Sequence, residues 1–330
     1  MPPRSPLPQR LGLDAAWART PDPDRGQPPP WPTIGAWLHS RFGARVDVAA
    51  LLAQGRFVYQ DGRAAGGHDP YRPQTFVWFH RDLPDEVFVP GPIHVVYRDE
   101  RIVVIDKPPF LSTIPRGEHV QQSVVVRLRA DLGLPELSPT HRLDRVTSGL
   151  VMLAAEKRWR GPYQSMFERR EVGKAYRALA PFRPDLELPL VVRDHLVKQR
   201  GRLQAEVVAD APPNAESLIE LETVRGEQAV YRLTPRTGRT HQLRVHMRDL
   251  GIPIVGDPLY PDVQDVSLHD FSTPLQLLAA ELWFTDPVDG APRRFTSIRT
   301  LPLRSEMPRR SETAPRCETD GPLGAVPAPF

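Results

Sequence analysis

The sequence predicts an α+β fold built on a mixed sheet. Short apolar runs bounded by turn residues alternate with segments of helical period, without the regular strand–helix–strand repeat of a doubly wound parallel sheet. The chain has 330 residues, 40% of them hydrophobic, which suffices for one main domain with a core of its own and an appendage.

Residues 1–30 carry repeated prolines and few large apolar groups, too little to offset chain entropy, and are expected to form a disordered tail. Residues 31–90 are expected to form a small helical module. Apolar periodicity marks helices around Ile34–Phe42 and Val46–Leu52, followed by Arg56–Val58 and a turn at Asp61-Gly62. The main domain is expected over 91–304. It opens with HVVY and IVVID, two strands flanking the polar turn from Arg98 to Arg101, and Lys107-Pro108-Pro109 ends the second. Ser148–Ala154 is a further strand. Trp159, Tyr163, Met166 and Phe167 share one face of the helix after it, with Pro162 near its start or kinking it. Val172–Ala180 returns as a strand, and Thr240–Leu250 reads as a helix with Thr240 as N-cap and Gly251 just past its end. Residues 305–330, rich in Pro, Arg, Ser and Gly, are expected to be a flexible tail, and no internal repeat is present.

Composition excludes several classes. No run approaches the roughly 18 apolar residues of a membrane span, and MPPRSPLPQR lacks the apolar core of a secretory signal, so a cytoplasmic protein is expected. The single cysteine, Cys317, allows neither an internal disulfide nor a cysteine-built zinc site. Formal net charge is +3, and lysine occurs only at 107, 157, 174 and 198, so nearly all positive charge sits on arginine, whose planar fork suits phosphate and base stacking.

Three strings carry chemistry: His141-Arg142-Leu143-Asp144-Arg145-Val146-Thr147-Ser148-Gly149-Leu150, Lys174-Ala175-Tyr176, and Thr237-Gly238-Arg239-Thr240-His241-Gln242-Leu243-Arg244-Val245-His246. Asp144 lies between Arg142 and Arg145, whose charge should favour the ionised carboxylate that a nucleophile or base requires. Alone, such a string reads as a surface ion pair. Here it leads into the strand at Ser148, which would hold the carboxylate rigidly. Lys174 and Tyr176 share a strand face, so an ammonium and an aromatic platform would sit side by side. On the later helix, Arg244 shares a face with His241 and Arg248, while Leu243, Met247 and Leu250 form another. Arg232, Arg236, Arg239, Arg244 and Arg248 run without an acid until Asp249, the footprint expected of backbone phosphate contacts. His241 and His246 stand about 140° apart around a helix and do not face one metal ion, and no glycine-rich nucleotide loop precedes a helix. Neither metal nor cofactor is implied.

In their order and separation, with Asp106-Lys107-Pro108 upstream and Gly256-Asp257 downstream, these strings resemble the RluA family of pseudouridine synthases from Ile93 to Leu303. The resemblance implies a pseudouridine synthase-like catalytic domain with a mixed, largely antiparallel sheet flanked by helices and loops. It makes Asp144 the catalytic aspartate, Tyr176 the residue beneath the target uracil, and Arg244 the aspartate's ion-pair partner. Arg142, Lys174, Arg239, His241 and Arg248 become RNA contacts. Residues 31–90 faintly resemble the S4-type RNA-binding module that often precedes this catalytic domain. The implied partner is ribosomal RNA, first that of the large subunit, or else transfer RNA, modified by a monomer. Because the product has the substrate's mass, no redox agent or group donor is required. Two other classes compete: a noncatalytic RNA-binding or ribosome-assembly protein on the same fold, and a glycosidase-like hydrolase with a second carboxylate, of which the catalytic strings offer none. Leu111–Arg116, Asn214–Ser217 and Leu278-Ala279 depart from the family pattern and are expected to line peripheral strands and loops.

Overall fold

The first two helices begin where a side chain replaces a missing backbone partner: Thr33 accepts from Ala36 N at 3.1 Å and Asp47 from Ala50 N at 3.0 Å. In the computed structural model of the chain, residues 2–304 are described apart from 25, 45, 84 and 118, so the expected tail at 305–330 lies outside the described residues.

The N-terminal part consists of β1 (Ala16–Arg19), α1 (Ile34–Phe42), α2 (Val48–Ala53), β2 (Val58–Tyr59) and β3 (Phe76–Phe79). Its strands form a sheet in the order β1-β3-β2, whose inner face packs with Trp37, Leu38 and Leu51 around Phe57 and Val77. Two expectations change here. The stretch 1–30 is not without structure, because β1 pairs antiparallel with β3 over four residues. Gln9 also donates to Pro135 O at 2.6 Å, and Arg129 reaches Asp14 at 3.2 Å, which ties this stretch to the main domain. Its composition rules out a core of its own, not a borrowed one. The module at 31–90 likewise carries strands beside its two helices.

The main domain holds β4 (His94–Arg98), β5 (Ile102–Lys107), α3 (Val124–Leu132), β6 (Ser138–Pro139), β7 (Ser148–Ala154), α4 (Lys157–Glu168), β8 (Gly173–Pro181) and β9 (Leu190–Asp194). It continues through β10 (Leu196–Val197), β11 (Glu206–Val207), β12 (Ala215–Arg225), β13 (Gln228–Pro235), α5 (Gln242–Asp249), β14 (Leu277–Thr285) and β15 (Pro292–Thr296). The main sheet runs β4-β5-β7-β14-β8-β13-β12-β9, with β15 beside β14 and β6 beside β7. Among the described strands of this sheet, only β7 and β14 pair in parallel. The fold class is therefore α+β, with a mixed, largely antiparallel sheet, as the sequence predicts. Among the described residues no helix is long and apolar enough to cross a membrane.

Strands β5 and β7 are buried on both faces, which explains their unbroken apolar runs. Val103, Ile105, Val151 and Leu153 pack with Val124, Val125 and Leu128 of α3, whereas Ile102, Val104, Leu150 and Met152 face Tyr163 and Met166 of α4. Pro162 lies inside α4, in its second turn, at the loss of one helical hydrogen bond. Gly149 has φ +108°, and a Cβ there would stand 2.3 Å from Ala279 O. Only glycine lets β7 lie this close to β14 immediately after the 141–147 loop.

Helix α5 starts later than its sequence suggests. Thr240 does not cap it; the capping position is His241, in the left-handed region at φ 59°. The Gln242 side chain organises the turn instead, accepting from Arg239 N at 3.0 Å and Thr237 Oγ1 at 2.7 Å while donating to Ser217 Oγ at 2.9 Å.

Candidate active site

Loop 141–147, the start of β8, the β13–α5 turn and the segment before β14 enclose a cavity of about 1130 Å³. Asp144 stands in its wall with 32% of its side chain exposed. Its loop is fixed from several sides. Thr147 N donates to Asp144 O at 3.1 Å. The ammonium of Lys107, at the buried end of β5, donates to Pro108 O at 3.0 Å, Leu111 O at 2.8 Å and Arg145 O at 3.0 Å. Those three carbonyls match the three N–H groups of the ammonium, while burial pushes its pKa well down. Thr113 Oγ1 donates to Leu143 O at 3.0 Å and accepts from Leu143 N at 3.2 Å. Leu111–Arg116 is therefore not peripheral: it buttresses the residue before Asp144. Asn214–Ser217 supports the β13–α5 turn, and Leu278-Ala279 lies at the centre of the sheet against Ser148 and Gly149.

The cation that reaches the Asp144 carboxylate is Arg244 of α5 and not a neighbour in sequence. Arg145 lies 6.0 Å over the Phe110 ring and donates to Leu268 O at 3.4 Å, while Arg142 projects to solvent at the cavity rim. Arg244, with 2% of its side chain exposed, places Nη1 3.4 Å from Asp144 Oδ2. Its tighter partner is Asp257, held by Nε at 2.8 Å and Nη2 at 2.6 Å. Burial works against the Arg244 charge, but the Asp257 hydrogen bonds and charge outweigh it and raise the pKa. Asp257 also accepts from Leu259 N at 2.9 Å and Tyr260 N at 3.2 Å, which locks the fork in place. His241 Nε2 lies 3.8 Å from Asp144 Oδ2.

Across the cavity, Tyr176 and Lys174 share one side of β8, as alternation requires. Burial, and then the Asp144 charge, push the Tyr176 hydroxyl well above its usual range, so the phenol stays neutral. Burial lowers the Lys174 pKa, and its ammonium sits 6.0 Å over the Phe167 ring. His141 stacks on the same ring at 4.5 Å, and its Nε2 accepts from Met152 N at 3.1 Å. Burial, followed by the Lys174 charge, brings its pKa down to about 3, so it is a neutral imidazole with its proton on Nδ1.

Asp144, Tyr176, Arg244, Lys174, His241, Arg142 and Arg239 thus line one cavity. Arg248 does not join them: it lies 5.4 Å over the Tyr260 ring and pairs with Asp249 at 2.6 Å. The basic run is also less free than its spacing suggests. Arg232 pairs with Glu281 at 2.6 Å and Arg236 with Glu216 at 2.7 Å. Among the described residues Arg239 makes no ion pair; its Nε donates to Asn214 O at 3.3 Å. Sequence reasoning gave no role to Lys107, Asp257, Tyr260 or Thr113. The strings Asp106-Lys107-Pro108 and Gly256-Asp257 were the available signal, since a charge at the end of a buried strand needs a partner.

A model of the family described as RNA pseudouridylate synthase matches residues 101–249. The dual-specificity RNA pseudouridine synthase RluA of Yersinia pestis is 32% identical over 215 residues, covering 61% of this chain and 96% of that protein. The enzyme of the same name from Vibrio cholerae is 36% identical over 202 residues, 59% of this chain and 78% of its own. The mitochondrial tRNA pseudouridine(32) synthase of Saccharomyces cerevisiae is 33% identical over 173 residues, 51% of this chain and 37% of its own. Among solved structures, human RNA pseudouridylate synthase domain containing 1 aligns with a TM-score of 0.49 and 25% identity, over 62% of this chain and 82% of that one.

Proposed function

The chain belongs to the RluA-type family of RNA pseudouridine synthases, a family of isomerases, and from that premise we propose that Asp144 is the carboxylate that reacts with the target ribose, with Tyr176 beneath the uracil and Arg244 holding the aspartate. The observation that carries this reading is the asymmetry of Asp144. Arg244 and His241 both approach Oδ2, at 3.4 and 3.8 Å, while among the described residues no hydrogen bond engages Oδ1. One oxygen is held and the other is left for the ribose.

The isomerisation breaks the N1–C1′ bond, turns the uracil and joins C5 to C1′, after which C5 loses its proton. Oδ1 serves either route, as the atom that attacks C1′ or as the one that takes the C2′ proton. A stacked base cannot react in this way, so the nucleotide is extruded into the cavity. A neutral Tyr176 suits the part of platform better than that of a phenolate base, because its burial opposes the charged form. Lys174, Arg142 and Arg239 are suited to the flanking phosphates. In this reading residues 91–304 are the catalytic domain and 31–90 an accessory module.

We propose large-subunit ribosomal RNA as the substrate. Transfer RNA is the second reading, favoured by the name of the yeast relative and by the dual specificity named for both bacterial ones. Total RNA from cells lacking the gene, labelled with tritium at uridine C5, tests the reaction: rejoining through C5 expels the label into water, and glycosidic hydrolysis would instead leave free uracil. Asp144→Asn is expected to abolish release while RNA affinity is largely kept. Turnover within tenfold of wild type would remove Asp144 from the mechanism. Site-resolved pseudouridine mapping with and without the gene decides between the two RNAs.

A further inference from the structure

We propose that Tyr260 and His241 form a positioning relay that sets the imidazole proton on Nε2 and points it at Asp144 Oδ2; the inference rests on Asp144 being the reacting carboxylate. Tyr260 lies between β10–β11 and α5, almost fully buried, in a segment the catalytic strings do not include. Its hydroxyl accepts from Ala205 N at 2.6 Å. That leaves a single proton to place. The two acceptors within reach are His241 Nδ1 at 2.9 Å and Ala205 O at 3.5 Å, and the shorter contact takes it. An imidazole that accepts at Nδ1 and is neutral must carry its hydrogen on Nε2. Burial lowers the His241 pKa and keeps the ring neutral among Asp144, Arg244, Asp257 and Lys198. Nε2 is the atom facing Asp144 Oδ2, 3.8 Å away, and contacts of this kind tighten when substrate closes the site.

Two further features fit a ring held for this purpose. His241 adopts φ 59°, a left-handed conformation that a non-glycine residue takes at a cost, and this places the ring beside Asp144 and not along α5. The rings of His241 and Tyr260 meet edge to face at 5.7 Å and 87°, which fixes the imidazole plane. Because Arg244 also approaches Oδ2, the relay gives that oxygen a second donor and leaves Oδ1 as the reacting atom. Sequence reading made His241 an RNA contact; the geometry points it inward, at the carboxylate.

The test combines kinetics with direct observation of the proton. In the full-length wild-type protein labelled with ¹⁵N at histidine, the imidazole shifts of His241, assigned by comparison with His241→Gln, are expected to report the Nε2–H tautomer; an Nδ1–H tautomer would overturn the proposal. Tyr260→Phe keeps the ring beneath Arg244 and removes the hydroxyl. It is expected to lower kcat about ten- to a hundredfold, the worth of one hydrogen bond to a charged group, with KM little changed and a mixed tautomer. His241→Ala should match or exceed that loss, and His241→Gln, which can return an N–H near the Nε2 position, should recover part of it. Circular dichroism and thermal melting exclude misfolding, and the wild-type tautomer decides the matter even if a variant fails to fold. Unchanged kcat in Tyr260→Phe and His241→Ala, with Asp144→Asn inactive, would overturn the relay alone. An active Asp144→Asn would overturn the reading beneath it.

Discussion

Arg244 ties the stability of the fold to the chemistry of the site, and the two can be separated. Its side chain is 2% exposed and that of Asp257 1%, so Arg244→Met leaves a buried carboxylate without its cation. Breaking such a pair costs about 3–5 kcal/mol. Asp257 keeps the N–H groups of Leu259 and Tyr260, which argues for the lower end, about 3 kcal/mol. Arg244→Met with Asp257→Leu removes both charges and should regain part of that loss, leaving about 2 kcal/mol, about 1 for each of the two backbone N–H groups then unpaired. Turnover should not return, because the donor 3.4 Å from Asp144 Oδ2 is still missing. Urea denaturation of the wild type, both single variants and the double variant gives the stabilities, and tritium release gives the turnover. If the double variant regains both, Arg244 serves only the fold.

Lys107→Met should destabilise the protein by about 2–4 kcal/mol, since it orphans the Pro108 and Leu111 carbonyls and that of Arg145 in the Asp144 loop, and should lower kcat as well; a variant of normal stability in denaturant would reject the tether. His141, with its folded pKa brought to about 3 against an ordinary 6.5, makes the unfolded chain bind more protons between those values. Its contribution to stability is therefore complete above about pH 6.5 and is lost as pH falls toward 3, and His141→Gln should flatten the fall in denaturation midpoint over that window. RNA binding should weaken with salt, and Arg239→Ala should reduce the slope by about one. Arg236→Ala should change it less, because Arg236 shares the Glu216 carboxylate with Arg193; equal effects in filter binding would refute that distinction.

What the sequence discloses here is what repeats locally. The alternation that puts Lys174 beside Tyr176, the apolar runs of β5 and β7, and the division of α5 into a Leu243/Met247 face and an Arg244 face all depend on residues one to four positions apart. The partner strand of β1 lies about sixty positions away, so a proline-rich stretch with no core of its own gave no sign that it would be paired. The start of α5 was misplaced for the same reason, since Ser217, which accepts from Gln242, lies 25 residues upstream. Electrostatics shows the effect most sharply. Arg236 and Glu216 are 20 residues apart and Arg232 and Glu281 49, so a run that looks uniformly free is partly paired once the strands are assembled, each carboxylate being shared with a second arginine, Arg193 or Arg294. With Arg232 and Arg236 tied to the protein's own carboxylates, phosphate attraction at the cavity leans on Arg239, Arg142 and Lys174. Recognition must then draw on what remains at the cavity: the shape of a folded RNA that can present an extruded uridine, the Tyr176 platform, and a carboxylate whose free oxygen is aimed by residues far from it in sequence.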